Sequence, residues 1–244
     1  TQSPFLQRAA QALAALLIAV SWKWGRLFCG WLCPHFPMVE FINELVIRAS
    51  GKVLVWDAER LSPHRPDGTQ RRTAAVWWWP ALLVSVAVAF VWALVLLTYV
   101  LPPREVYGNL WHGELTVNQG IFLAIVTTVL SLDFLFARHL FCRYMCSVGL
   151  FQSLAWMTNR DALVVGFDRQ RAEACRECLP ERGAACNVVC PMRLKPRSIK
   201  RHMFTCTQCG LCLAACAETQ HENPAGPLLT WVSGEAARQN EAGF

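Results

Sequence analysis

Residues 204–216 read FTCTQCGLCLAAC, with Cys206, Cys209, Cys212 and Cys216 spaced C-x2-C-x2-C-x3-C. In such a run three thiolates wrap one face of a cubic cluster. The fourth lies too far round to complete the same cube and ligates a second one. The run therefore needs a partner, and CRECLPERGAACNVVCP supplies it through Cys175, Cys178, Cys186 and Cys190. Crossing the fourth ligands assigns one [4Fe–4S] cluster to Cys175, Cys178, Cys186 and Cys216. The other takes Cys206, Cys209, Cys212 and Cys190. Two zinc knuckles are the competing reading of the same cysteines. Gly210, Ala214 and Ala215 are small enough for backbone to pack around a cluster. Seven residues, LPERGAA, separate Cys178 from Cys186, and Ala217 stands where proline would follow Cys216. Both departures predict a first cluster that is more solvated or less firmly held.

The chain around these motifs is apolar. Of 244 residues 54% are hydrophobic and only 16% charged, against roughly 25% charged in ordinary soluble domains. Eleven tryptophans fit a bilayer interface. Twelve cysteines could make a disulfide scaffold, but that belongs to short, loop-rich secreted chains. The chain starts at Thr1 rather than Met, so a fragment or processed form is expected. No Ser/His/Asp constellation or Gly-rich phosphate loop is present, and no nucleic-acid partner is expected.

Between Arg72 and Arg104 lie 31 residues without a formal charge, enough to cross a hydrocarbon core. Trp77, Trp78 and Trp79 at one end and Tyr99 near the other suit interfacial anchoring. A second span is expected over Leu115 to Leu132, with an apolar exit to Ala137. Asp133 there is expected to reach the headgroups or pair with Arg138. A third, from about Pro4 to Phe28, depends on Arg8 and Lys23 snorkelling. Arg48, Lys52, Arg60, Arg65, Arg71 and Arg72 crowd the segment 34–73, whereas 101–118 holds only Arg104. The first loop and everything after Arg138 are therefore expected on the cytoplasmic side. The basic run MRLKPRSIKRH (192–202) reads as a solvated face or one lying on anionic lipid.

Four cysteines remain, in GRLFCGWLCPH (25–35) and RHLFCRYMCSV (138–148). Each motif is L-F-C-x3-C at the cytoplasmic end of an expected span. On a helix, thiols at i and i+4 share a side, so Cys29, Cys33, Cys142 and Cys146 can form a third four-thiolate site. A third cluster, copper and a redox dithiol are its competing readings, beside plain buried cysteines. His35 and His139 adjoin these motifs as candidate extra ligands or ordinary interfacial histidines. All six histidines, His64 included, lie outside the expected hydrocarbon centre, so no haem is expected. After Pro34 an interfacial helix is expected, apolar through Met38, Phe41, Ile42, Leu45 and Val46. Glu40, Asn43, Glu44 and Arg48 take its other side, with Glu44 and Arg48 as an i,i+4 pair.

Together these motifs resemble the membrane polyferredoxins: the CcoG/RdxA/FixG cytochrome oxidase accessory proteins, with the NapH and NosR electron-transfer proteins as relatives. FCGWLCPH, FCRYMC with VGLFQS after it, and the paired cluster motifs carry the likeness. NRDALVVGFDRQR (159–171) and GPLLTWVSGEA (226–236) look more like the CcoG branch. The resemblance implies electron transfer at the membrane by [4Fe–4S] clusters. In the CcoG branch it implies assembly of cbb3-type cytochrome oxidase by reduction of Cu(II) to Cu(I), with oxidase assembly factors as partners. In the NapH and NosR branch it implies passage of electrons from quinol toward a periplasmic reductase. Family members usually carry a further N-terminal helix, and CcoG proteins a further span and an exported domain. Ser147 stands where they have proline.

The expected architecture is an α-helical membrane protein of about three transmembrane helices with a C-terminal α+β two-cluster ferredoxin-like domain. A membrane domain would cover 1–148, an interfacial linker 149–170, the ferredoxin-like domain 171–225 and a tail 226–244. The chain would sit in a bacterial inner membrane with that domain in the cytoplasm. A redox carrier or cupric reductase, with copper or another carrier as partner, is the leading function. An iron–sulfur sensor or scaffold without turnover is the alternative from another class.

Overall fold

Helix α1 (Pro4–Trp24) stops at Gly25, whose φ of 72° turns the chain out of the helix, and a short helix α2 (Leu27–Trp31) follows. The expected helix to Phe28 is thus two helices, because left-handed backbone at a helix end suits glycine. The computed structural model describes residues 4–57, 61, 72–175, 178 and 184–242. Arg60, Arg65, Arg71 and His64 lie outside the described residues, as does most of the LPERGAA insertion. Two units result: Thr1–Cys33 with Cys142–Phe244, and Pro34–Phe141.

The second unit holds α3 (His35–Ser50), α4 (Trp78–Val100), α5 (Pro103–His112) and α6 (Val117–Leu132). Among the described residues two helices are long and apolar enough to cross a membrane, Ala75–Val100 and Val117–Ala137. They pack on each other along a seam of small residues, Ala81, Ser85, Ala89 and Ala93, all buried and four apart on α4. Small side chains let the helix backbones approach closely. The Ser85 hydroxyl donates to the Ser131 carbonyl at 3.3 Å. Leu83 and Tyr99 point outward. The segment after α4, expected only as an outer connection, folds into α5 and buries Val106. Thr116 and Gln119 then form a reciprocal capping box that starts α6.

Helix α3 packs against α4, but on a rotated face. Phe36, Val39, Ile42, Asn43, Leu45 and Val46 are buried, while Met38 and Phe41 are exposed. The polar residues explain the rotation. Glu40 turns inward to meet His139 Nε2 at 2.6 Å and Arg138 at 3.2 Å. Arg138 therefore pairs with Glu40 rather than with Asp133, whose Oδ2 is buried without a partner. The Glu44–Arg48 pair forms at 3.1 Å.

An offset of 113 residues relates the two L-F-C-x3-C motifs, and the helices around them are exchanged. In the first unit α1 packs on α7 (Ser147–Thr158), the helix that follows the second motif. In the other, α3, which follows the first motif, packs against the π-helical turn Asp133–Ala137 that continues α6. The contacts are reciprocal. Arg26 bonds Ser153, and their 113-residue equivalents, His139 and Glu40, bond each other. Arg26 lies against Gly149, whose equivalent Phe36 stacks on His139 at 4.9 Å.

The rest of the first unit is α8 (Ala185–Val188), α9 (Leu211–Thr219), α10 (Glu235–Ala242) and a ribbon of β1 (Val164–Phe167) antiparallel to β2 (Leu229–Val232). The expected linker and tail thus supply one strand each. The basic run also enters the fold. Lys200 is buried and donates to the carbonyls of Trp156, at 2.8 Å, and Asn159, so it caps the C-terminus of α7. Lys200 is pulled down to about 8 by burial, against the opposing charges of Glu241 and Asp161.

Two outcomes follow. Ala89→Leu overfills the α4–α6 seam and costs about 1–3 kcal/mol of stability in detergent, whereas Leu83→Ala on the outward face leaves the thermal midpoint within a degree or two; equal effects would sink the packing assigned here. For Lys200 the folded pKa lies below the unfolded one, so the unfolded chain binds more protons between about pH 8 and 10.5 and stability rises with pH there. The gain of the wild type over Lys200→Met across that window is on the order of 3 kcal/mol, read from paired thermal melts.

Candidate iron–sulfur centres

Helix α9 carries Cys212 and Cys216 one turn apart, both buried, so one element presents a thiol to each of two cavities. Cys190, Cys206, Cys209 and Cys212 line one. Cys175, Cys178, Cys186 and Cys216 line the other. Cys186 comes from α8, packed on α9, and its charge reaches Cys212 of the neighbouring set. The ribbon roofs both cavities. Register pairs Val165 with Trp231 and Phe167 with Leu229; the first pair lines one cavity and the second the other.

Burial pushes Cys186 up to about 11 and Cys206 up to about 12, with neighbouring thiols adding to the rise. Metal binding must displace those protons. Two donors already aim at sulfur. Arg197 Nη1 donates to Cys175 Sγ and the Leu194 N–H to Cys190 Sγ, each at 3.3 Å, whereas the Cys178 thiol itself donates to Thr219 Oγ1 at 3.3 Å. Arg197 belongs to the basic run, so a second of its cations faces inward.

The four remaining cysteines also lie in this unit. Cys146 and Cys33 act electrostatically on Cys29, whose burial pushes it up to about 11, and Cys142 joins Cys29 and Cys146 around Arg26. The Cys29 thiol donates to Gln152 Oε1 at 3.3 Å. The pairs do not ride regular α-helix, as the i,i+4 argument assumed. The Cys33 N–H reaches the Phe28 carbonyl five residues back; Phe141–Met145 is a π-helical turn, and Cys146 caps α7. Both pairs straddle widened turns, which follow positive φ at Gly25 and at Arg138.

Among the described residues no three Cys, His, Asp or Glu side chains converge closely enough to hold a single metal ion. All twelve cysteines are described and none forms a disulfide. His35 packs among the rings of Trp92, Phe134 and Phe141, and burial pulls it down to about 4. His139 is bonded to Glu40.

The motif loops dock on each other. The Trp31 indole N–H donates to the Gln208 carbonyl at 3.0 Å, and the Arg26 N–H to Gln208 Oε1 at 2.8 Å. A Cβ on Gly30 would lie 2.2 Å from the Thr207 carbonyl oxygen. Spacing alone did not single out Arg26, Gly30, Ser153, Arg197 or Gln208. The only sequence trace of the first two is their place within GRLFCGWLC.

A family described as a 4Fe-4S binding domain matches this chain twice, over residues 9–52 and 119–161. Those segments contain Cys29 and Cys33, and Cys142 and Cys146. YccM of Escherichia coli K12, named for electron transport, is 26% identical over 88% of this chain and 55% of its own length. The methylamine utilization ferredoxin-type protein MauN of Methylorubrum extorquens is 27% identical over 68% of this chain and 47% of its own. The ferredoxin-type protein NapH of Escherichia coli K12 is 23% identical over 84% and 63%. The chain thus spans about half to two thirds of the length of these relatives. No solved structure matches it. The likeness supports a polyferredoxin family without singling out the CcoG branch.

Gly30→Ala is expected to part the docked loops and lower iron bound per chain, measured after anaerobic loading. Gly108→Ala, where an added Cβ meets nothing within 4 Å, should load as wild type.

Proposed function

We propose that this chain is a membrane-bound iron–sulfur electron-transfer protein of a bacterial inner membrane, with its cluster-bearing unit on the cytoplasmic side. The carrying observation is that eight of the twelve cysteines line two cavities, four to each, while Cys142 and Cys146 lie with Cys29 around Arg26 and Cys33 lies near Cys29. Bound by such sets, [4Fe–4S] clusters supply one-electron carriage. Cys175, Cys178, Cys186 and Cys216 would hold one and Cys190, Cys206, Cys209 and Cys212 another. Cys29, Cys33, Cys142 and Cys146 would hold a third, and the 4Fe-4S family match over these segments supports a cluster there over copper. Val165, Phe167, Leu228, Leu229 and Trp231 keep water off the first two sets. Two crossing helices, with α1 as a third, would anchor the assembly.

The electron partner has two readings. The likeness to ferredoxin-type and electron-transport proteins fits a NapH-like role, for which the motif resemblance implies passage of electrons from quinol toward a reductase. Reduction of Cu(II) during cbb3-type oxidase assembly rests on the motif resemblance alone.

Anaerobically loaded protein should contain about twelve iron and twelve sulfide per chain, and Cys206→Ser should lose about four of each. Menaquinol should bleach the cluster absorbance, whereas bleaching by Cu(II) with Cu(I) appearing would select the second partner. Material that stays colourless and holds zinc overturns the electron-transfer reading.

A further inference from the structure

Arg26 is fully buried. Its Nε donates to Ser153 Oγ, its Nη1 to the Cys142 carbonyl at 3.0 Å, and its Nη2 is buried without a partner. Every one of those partners is neutral. An arginine stays protonated in proteins, and a buried cation without an opposing charge is costly. The groups that would oppose it once ionised are Cys29, Cys146, Cys142 and Cys206. Three come from the membrane motifs and the fourth from the second ferredoxin-type set. The Arg26 backbone N–H donates at 2.8 Å to Gln208 Oε1, two residues from Cys206. The surroundings are built to hold the guanidinium there. Ser153 Oγ also donates to the Phe204 carbonyl at 2.5 Å, which ties α7 to the loop before Cys206. The Phe204 ring lies 5.9 Å from the guanidinium carbon. A side chain on Gly149 would come within 3.2 Å of Nη1.

Resting on the cluster reading above, we propose that Arg26 is a positioning residue shared by two cluster sites. It is the fixed counter-charge between the Cys29/Cys33/Cys142/Cys146 set and the Cys190/Cys206/Cys209/Cys212 set, and it favours the reduced state on both sides. Four thiolates and a cluster carry net negative charge, which grows by one on reduction. A cation held between two such sites therefore stabilises the reduced form of each. The Cys175/Cys178/Cys186/Cys216 set has its own cation, Arg197, and should not feel the change.

The test is a redox titration with dithionite as electron source, one electron per cluster, followed by electron paramagnetic resonance. Signals are assigned with Cys→Ser variants of each set. In Arg26→Gln the two adjacent clusters should shift at least tenfold toward the oxidised form, 59 mV per tenfold for one electron, with the third unmoved. Arg26→Lys, which keeps the charge, should recover most of the shift. Equal movement of all three signals, or of none, overturns the proposal. Should Arg26→Gln fail to load, Ser153→Ala decides instead: a smaller shift of the same two clusters supports the proposal and an unselective result overturns it. Wild-type protein without iron or sulfide removes the cluster reading itself and this proposal with it. Normal loading with unmoved potentials removes this proposal alone.

Discussion

Sulfur gathered in apolar surroundings must carry negative charge to hold iron, and the rest of the first unit answers to that constraint. Burial alone opposes ionisation, which is why Cys29, Cys186 and Cys206 all titrate well above an ordinary thiol. The chain meets each set with donors and cations drawn from elsewhere: Arg197 at Cys175, a backbone N–H at Cys190, and Arg26 among the membrane-motif cysteines and Cys206. The β1–β2 ribbon then closes the cavities from one side. Two short strands suffice because alternation puts Val165 and Phe167 on one face and their partners Trp231 and Leu229 beside them.

The exchange of helices between the two C-x3-C repeats explains why the units break at 33/34 and 141/142. Each repeat gives its leading helix to one unit and its trailing helix to the other, so the cysteine-bearing turns sit where the exchange happens. The two copies have diverged chemically at equivalent positions. One uses a permanent cation with a hydroxyl, Arg26 with Ser153. The other uses a titratable ring with a carboxylate, His139 with Glu40. Burial alone would raise Glu40, but the hydrogen bond with His139 and the charge of Arg138 draw it below the ordinary range. The permanent cation is the one that lies near thiols on both sides.

Much of this was legible in the sequence. Uncharged runs marked the helices at 75–100 and 117–137, because crossing length is a local property of composition. The α3 face was misjudged because an amphipathic pattern cannot show that Glu40 will find Arg138 and His139 nearly a hundred residues away. Lys200 and Arg197 read as part of a solvated or lipid-facing basic run for the same reason. Their burial depends on α7 and Cys175, which no local window contains.

Cysteine spacing is set by chain geometry over a few residues, so the sequence by itself determined which thiols can face a common centre and where apolar helices run. What only the tertiary structure decided is the charge around those thiols and the contact between the loops that carry them. Gly30 against Thr207, and Arg26 between Cys142 and Ser153, join segments more than a hundred residues apart. Electrostatic compensation acts through space, and sequence separation carries no information about distance until the helices have packed.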